Sequence, residues 1–193
     1  QLASYDRNIR IEGENSSSSL ADKILELAKE QGTINNLDGL YSWPAWQAYL
    51  IDTIPGTGDN GNYFLNLNNN TKKVQSKSIY STGSENEFVF SVGGSYNEKL
   101  YVGATVGFPI INYYEKSTYT EDSFEDTING LQEFNFKEEL SIYGSGINLK
   151  AGAILRISEQ LKLGAAFHTP TFYSMEETYS TSITTHFDSA RFT

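Results

Sequence analysis

From Val74 onward, apolar residues alternate with small or polar ones at a period of two, the signature of strands with one apolar face. The pattern predicts strands near 74–82, 86–96, 100–119, 132–157 and 161–187. Two stretches are versions of one hairpin, from Phe88 to Pro109 and from Leu149 to Pro170, and Leu100–Ala104 (LYVGA) matches Leu161–Ala165 (LKLGA). By parity, Phe88, Phe90, Val92, Gly94 and Tyr96 share a face that Leu100, Val102, Ala104, Val106 and Phe108 continue. In the second copy Ile147, Leu149, Ala151, Ala153, Leu155 and Ile157 match Leu161, Leu163, Ala165 and Phe167. The other face carries Glu87, Ser91, Thr105, Asn148, Lys150, Arg156, Lys162 and His168.

Alternation alone fits either a soluble β-sandwich or a membrane barrel. Three features favour the barrel. The strands exceed the usual five or six residues. Turns at Asn97–Lys99 and Ser158–Gln160 are short, whereas the connection from Thr120 to Gly130 is longer and acidic. Tyr96, Phe108, Tyr113, Tyr114 and Phe172 recur where aromatic girdles would lie. Leu100–Phe108 and Ile147–Ile157 are long enough to cross a bilayer at a tilt, with no charge on the apolar face.

Before the meander, residues 1 to 14 read as extended and polar. Ser16–Ser19 can cap a helix over Leu20 to Glu30, with Leu20, Ile24, Leu27 and Ala28 on one face and Gly32 as its stop. That face either covers its own loop or contacts a ligand. The segment from Leu40 to Ile54 holds both tryptophans, and Pro55–Asn62 and Asn66–Asn70 are turn-rich. Residues 15 to 72 thus form one long excursion, a length usually reserved for function or disorder. The expectation is an all-β fold. An antiparallel meander of long strands (74–187) forms part of a transmembrane β-barrel within one domain, 1–193, and residues 15–72 are a long extracellular loop with a short helix.

Composition narrows the function. The chain has 193 residues, a net charge of -10, 13 Tyr, 11 Phe and no Cys, so disulfides, thiolate metal sites and cysteine nucleophiles are excluded. The acidic balance argues against nucleic acid or anionic lipid heads as a main partner. No apolar run of eighteen residues and no signal peptide is present. Beginning at Gln1 without methionine, the chain reads as a processed piece of a larger protein.

Catalytic motifs are missing: there is no phosphate loop, HExxH or G-x-S-x-G, and the expectation is no enzyme, no cofactor and no metal. His168 is either a hydrogen-bonding wall residue or a heme ligand that nothing flanking supports. Lys150, Arg156, Lys162 and His168 line a polar lumen, or the cations form a station for a carboxylate head group. Pro109 and Pro170 mark either simple strand bends or bulges that break the wall and open a side passage for an apolar solute. Glu121, Asp122, Glu125 and Asp126 read most simply as a solvated acidic loop; calcium is the alternative, although the spacing fits no EF-hand. Leu20, Ile24, Leu27, Leu40, Trp43, Trp46 and Tyr49 are the candidate surface for a hydrophobic solute.

The run from Gly144 to Tyr173, preceded by NEFVFSVGGSYNEKLYVGATVGFP, resembles the FadL/TodX outer-membrane transport proteins. Ile11–Gly13 (IEG) and Tyr49–Asp52 (YLID) resemble its Bacteroidetes branch, whose members are sometimes labelled hemin receptors. The resemblance implies a monomeric barrel of about fourteen strands in the outer membrane of a Gram-negative bacterium. It would import long-chain fatty acids or other hydrophobic compounds, with the lipid bilayer as its other partner. It also implies an N-terminal plug, which this chain lacks, so the expected piece is a middle segment of such a barrel. Two other readings stay open: a soluble β-sandwich binding a ligand or carbohydrate through Trp43 and Trp46, and a surface barrel or adhesin that transports nothing.

Overall fold

The computed structural model describes residues 3–56, 61–68, 71–126 and 129–188. It begins with β1 (Ala3–Asn15), α1 (Leu20–Gln31), a 3-10 turn (Ile34–Asn36) and α2 (Ser42–Gln47). Strands β2 (Ile51–Thr53) and β3 (Tyr63–Leu65) follow, then the long β4 (Lys73–Tyr96), β5 (Leu100–Asp122) and β6 (Leu131–Arg156), and last β7 (Lys162–His168) and β8 (Phe172–Phe187). One six-stranded sheet runs in the order β1-β4-β5-β6-β7, and β8 also pairs with β6. The β2–β3 pair forms a separate small antiparallel sheet. The all-β, mostly antiparallel fold expected from alternation is therefore present.

Two strand boundaries differ from expectation. The segments read as 74–82 and 86–96 are one continuous strand, because Gly83 and the polar residues after it stay in the ladder. The segment read as 161–187 is instead two strands, interrupted at Thr169–Thr171. Pro170 cannot donate to a ladder, and Thr169 supplies substitutes: its N–H donates to Leu149 O (2.9 Å) while its Oγ1 accepts from Leu149 N–H (2.9 Å). Pro109, by contrast, lies inside the uninterrupted β5.

The two short turns use different chemistry. Asn97 (φ 50°) and Glu98 (φ 54°) both take the left-handed conformation that a two-residue hairpin turn requires, and Lys99 N–H donates to Tyr96 O at 3.0 Å. Between β6 and β7, Ser158 Oγ accepts from the N–H of Leu161 at 3.1 Å.

Contacts divide the chain into two units. The first comprises Gln1–Asp6, Thr82–Tyr114 and Ser141–Thr178. Here Lys150, Gly152, Ile154 and Arg156 stand opposite His168, Ala166, Gly164 and Lys162. Directly opposed residues share a face, so this register puts all four polar positions together and Ala151/Phe167, Ala153/Ala165 and Leu155/Leu163 on the reverse. The parity reading of the second hairpin is correct.

The second unit comprises Arg7–Ser81, Glu115–Leu140 and Tyr179–Thr193. It holds the hydrophobic core. Ala21, Ile24 and Ala28 of α1, Ala45 of α2, and Leu50, Ile51, Tyr63 and Leu65 pack with Leu131, Phe134, Phe136 and Ile183 of the large sheet. The excursion is thus a folded element with helices and a hairpin of its own, more ordered than a long loop. Its helix α1 starts as expected: Ser19 Oγ accepts from Ala21 N–H (3.0 Å), and Gly32 ends it at φ 83°, its N–H donating to Ala28 O (3.1 Å).

Candidate functional site

The first candidate surface is the apolar face of the first unit. Val102 (51%), Leu149 (49%), Leu163 (56%) and Phe167 (69%) are exposed, as are Phe88, Phe90, Val92, Leu155, Ile157 and Leu161. Phe90 and Phe108 meet edge-to-face with ring centres 6.2 Å apart. So large a contiguous apolar surface is uncommon where a protein faces water. No helix among the described residues is long and apolar enough to cross a membrane, which says nothing about crossing by strands.

The reverse face is mixed: Val89, Tyr101 and Ile154 are exposed there, beside polar side chains that bond to one another. Ser91 and Thr105 share a hydroxyl hydrogen bond of 2.9 Å. Asn148 Nδ2 donates to Glu87 Oε1 at 2.8 Å, and Lys150 Nζ lies 3.8 Å from the same oxygen. These two side chains occupy the space in front of Gly107, whose missing Cβ makes room for them. The four residues of the expected lumen set therefore fall into two pairs with distinct surroundings. Lys150 faces a carboxylate, and His168 stands opposite it in the register. Arg156 and Lys162 stand opposite each other.

The second candidate surface lies in the excursion. Trp43 and Trp46 stack with ring centres 5.3 Å apart, and both are partly buried against the core. Leu40 and Tyr49 are exposed and Leu20 and Leu27 half-buried. Ile24 is not part of any accessible surface. At 2% exposure it is a core residue, because α1 turns the Ala21–Ile24–Ala28 stripe into the core, where the helix packs against β3 and α2.

Two carboxylates organise this excursion, Asp38 from within it and Glu121 from the large sheet. Asp38 precedes α2 and accepts from the N–H groups of Leu40 (2.9 Å), Tyr41 (2.8 Å) and Ser42 (3.1 Å) and from Gln31 Nε2 (3.1 Å). Burial works against its charge, but these donors outweigh it and bring its pKa to about 2. Glu121 is the correction to the acidic-loop reading. It belongs to β5, is fully buried, and accepts from Ser19 Oγ (2.7 Å), Leu20 N–H (2.9 Å), Tyr119 OH (2.6 Å) and Gln75 Nε2 (3.1 Å). A carboxylate at the first turn of α1 also meets the positive end of the helix dipole. Burial and the neighbouring Glu121 raise the Tyr119 hydroxyl well above the usual phenol range.

Near this junction a cavity of about 690 Å³ is lined by Leu20, Tyr41, Lys77, Tyr119, Phe136 and Glu138, of which the sequence pattern singled out Leu20. The described residues contain no group of three acidic, histidine or cysteine side chains placed to hold a metal ion. No family model, curated protein or solved structure matches the chain.

Proposed function

We propose that this chain forms part of the wall of an outer-membrane β-barrel through which hydrophobic compounds such as long-chain fatty acids are taken up. The observation that carries the reading is the exposure of the apolar face of the two related hairpins. Residues such as Phe90, Val102, Leu163 and Phe167 stand open on one side, while hydrogen bonds and an ion pair occupy the other. In water, each such side chain left exposed forgoes about 1.5–3 kcal/mol of burial, whereas lipid supplies that burial. The sequence resemblance to FadL/TodX transporters supports the same reading. Uptake on this scheme is physical. An apolar solute adsorbs to the excursion at Leu40, Trp43, Trp46 and Tyr49, then travels along the wall, and the strand interruption at Thr169–Thr171 is the candidate side exit.

Because the chain contains no cysteine, single cysteines report on each face without background. The full chain bearing Val102→Cys, Leu163→Cys, Ser91→Cys or Lys162→Cys is reconstituted into vesicles and treated with a water-soluble maleimide. Protection of positions 102 and 163, with labelling of 91 and 162, is the expected pattern. Equal labelling of all four positions overturns the membrane reading.

A further inference from the structure

Arg10, Lys23, Lys72, Lys77, Lys116 and Lys150 each form an ion pair with a glutamate. A different set of cations converges where the short turns lie. Arg156, the last residue of β6, stands directly opposite Lys162, the first of β7. On its other flank the Arg156 N–H donates to Lys99 O at 2.7 Å, which brings a third cationic residue alongside from the neighbouring turn. Among the described residues, none of these three side chains makes an ion pair or a hydrogen bond. Like charges placed directly across a strand pair repel, and an anion bound between them relieves that repulsion. It is also out of keeping with a chain of net charge -10, which has acidic residues to spare. Arg156 and Lys162 carry two positive charges, and guanidinium adds a planar fork that matches two oxygens of a tetrahedral oxyanion. A monoanionic carboxylate would neutralise only one of them.

Lys99, Arg156 and Lys162, we infer, form a site for a doubly charged phosphate group. Its source is either a soluble phosphate monoester or the head group of a phosphate-bearing lipid. The site stands on strand register and charge, independently of whether the chain passes hydrophobic solutes.

The full chain in dodecyl maltoside micelles is titrated by calorimetry with ethyl phosphate, with acetate, and with phosphatidic acid dissolved in the same micelles. Ethyl phosphate should bind saturably and about tenfold or more tighter than acetate. Arg156→Gln and Lys162→Gln should each weaken that binding about fivefold or more, and Lys29→Gln, in the other unit, should leave it unchanged. Phosphatidic acid binding about tenfold tighter than ethyl phosphate identifies the lipid head as the source; equal affinities identify the soluble ester. The inference is overturned if acetate binds as well as ethyl phosphate, if neither phosphate compound binds saturably, or if the Arg156→Gln/Lys162→Gln double variant keeps wild-type affinity. Since these side chains are not buried, the variants should keep the wild-type circular dichroism spectrum. The maleimide pattern reports separately on membrane insertion, so failure of one reading does not mimic failure of the other.

Discussion

Glu87 and Asn148 come from β4 and β6, the two strands that flank β5, and they meet over Gly107 in a 2.8 Å hydrogen bond. A Cβ at position 107 would collide with Glu87 Oε1 and lie 2.7 Å from Asn148 Oδ1. Both obstacles are side-chain ends, so the sheet can survive the substitution while the hydrogen bond cannot. Gly107→Ala should therefore cost about 1–3 kcal/mol, the worth of a bond to a charged acceptor plus its partial burial. Urea unfolding in detergent measures it. In a Glu87→Ala background the same methyl group should cost much less, and equal costs in both backgrounds would dismiss this explanation.

Glu121 is the strongest tie between the excursion and the large sheet, since one carboxylate accepts four hydrogen bonds. Glu121→Ala strands buried donors from Ser19, Tyr119 and Gln75 and removes the helix-end charge. The expected loss is about 3 kcal/mol or more, concentrated in α1. Hydrogen exchange should show amides of Ala21–Ala28 losing protection well before those of Leu149–Arg156. Uniform loss across both segments would mean that the carboxylate supports the whole fold instead.

Asp38 gives the excursion a pH limit with a defined sign. Its folded pKa of about 2 lies below the ordinary value of 3.8. A depressed carboxylate contributes stability that is complete above the ordinary value and lost as pH falls through the folded one. The contribution should therefore hold above about pH 4 and fade toward pH 2, reported by fluorescence of the nearby Trp43–Trp46 pair. Asp38→Asn should abolish this step while leaving other acid transitions in place. A step of the same size in the variant would rule Asp38 out as its origin.

The stacked tryptophans offer a test of solute capture. Replacing Trp43 and Trp46 by Ser removes the largest apolar side chains near the exposed Leu40 and Tyr49. Covering about 300 Å² of apolar surface corresponds to about 7 kcal/mol of gross transfer free energy, so binding of a fluorescent fatty acid should weaken at least about tenfold. Unchanged affinity would exclude this surface as the point of adsorption.

The long strands and their faces were legible because alternation is a repeated local signal, and the Lys150–His168 to Arg156–Lys162 register bears out the parity reading. Helix α1 was legible from Ser19, the apolar stripe and Gly32. The same stripe misled at Ile24, since an amphipathic face looks identical whether it meets a ligand or a core. The β2–β3 hairpin went unseen because three-residue strands carry too little periodicity. Glu121 was misread because its acidic neighbours describe a solvated loop. Three of its four partners, Ser19, Leu20 and Gln75, lie at least 46 positions away, a distance across which local pattern carries no information. Asp38 could have been suspected from its place just before an apolar segment, a common helix-start signal.

The excursion is fastened along two separate seams. At one, Glu121 grips the start of α1; at the other, the hydroxyls of Thr181 and Thr185 on β8 donate to the carbonyls of Leu40 and Ala48, on either side of the tryptophans. Two weak neutral stitches undo more readily than one ionised clasp. The tryptophan-bearing stretch does not rest on those stitches alone: Ala45, Leu50 and Ile51 are fully buried beside it and Tyr41 stacks on Phe136, so its seat is shared between hydroxyls and core.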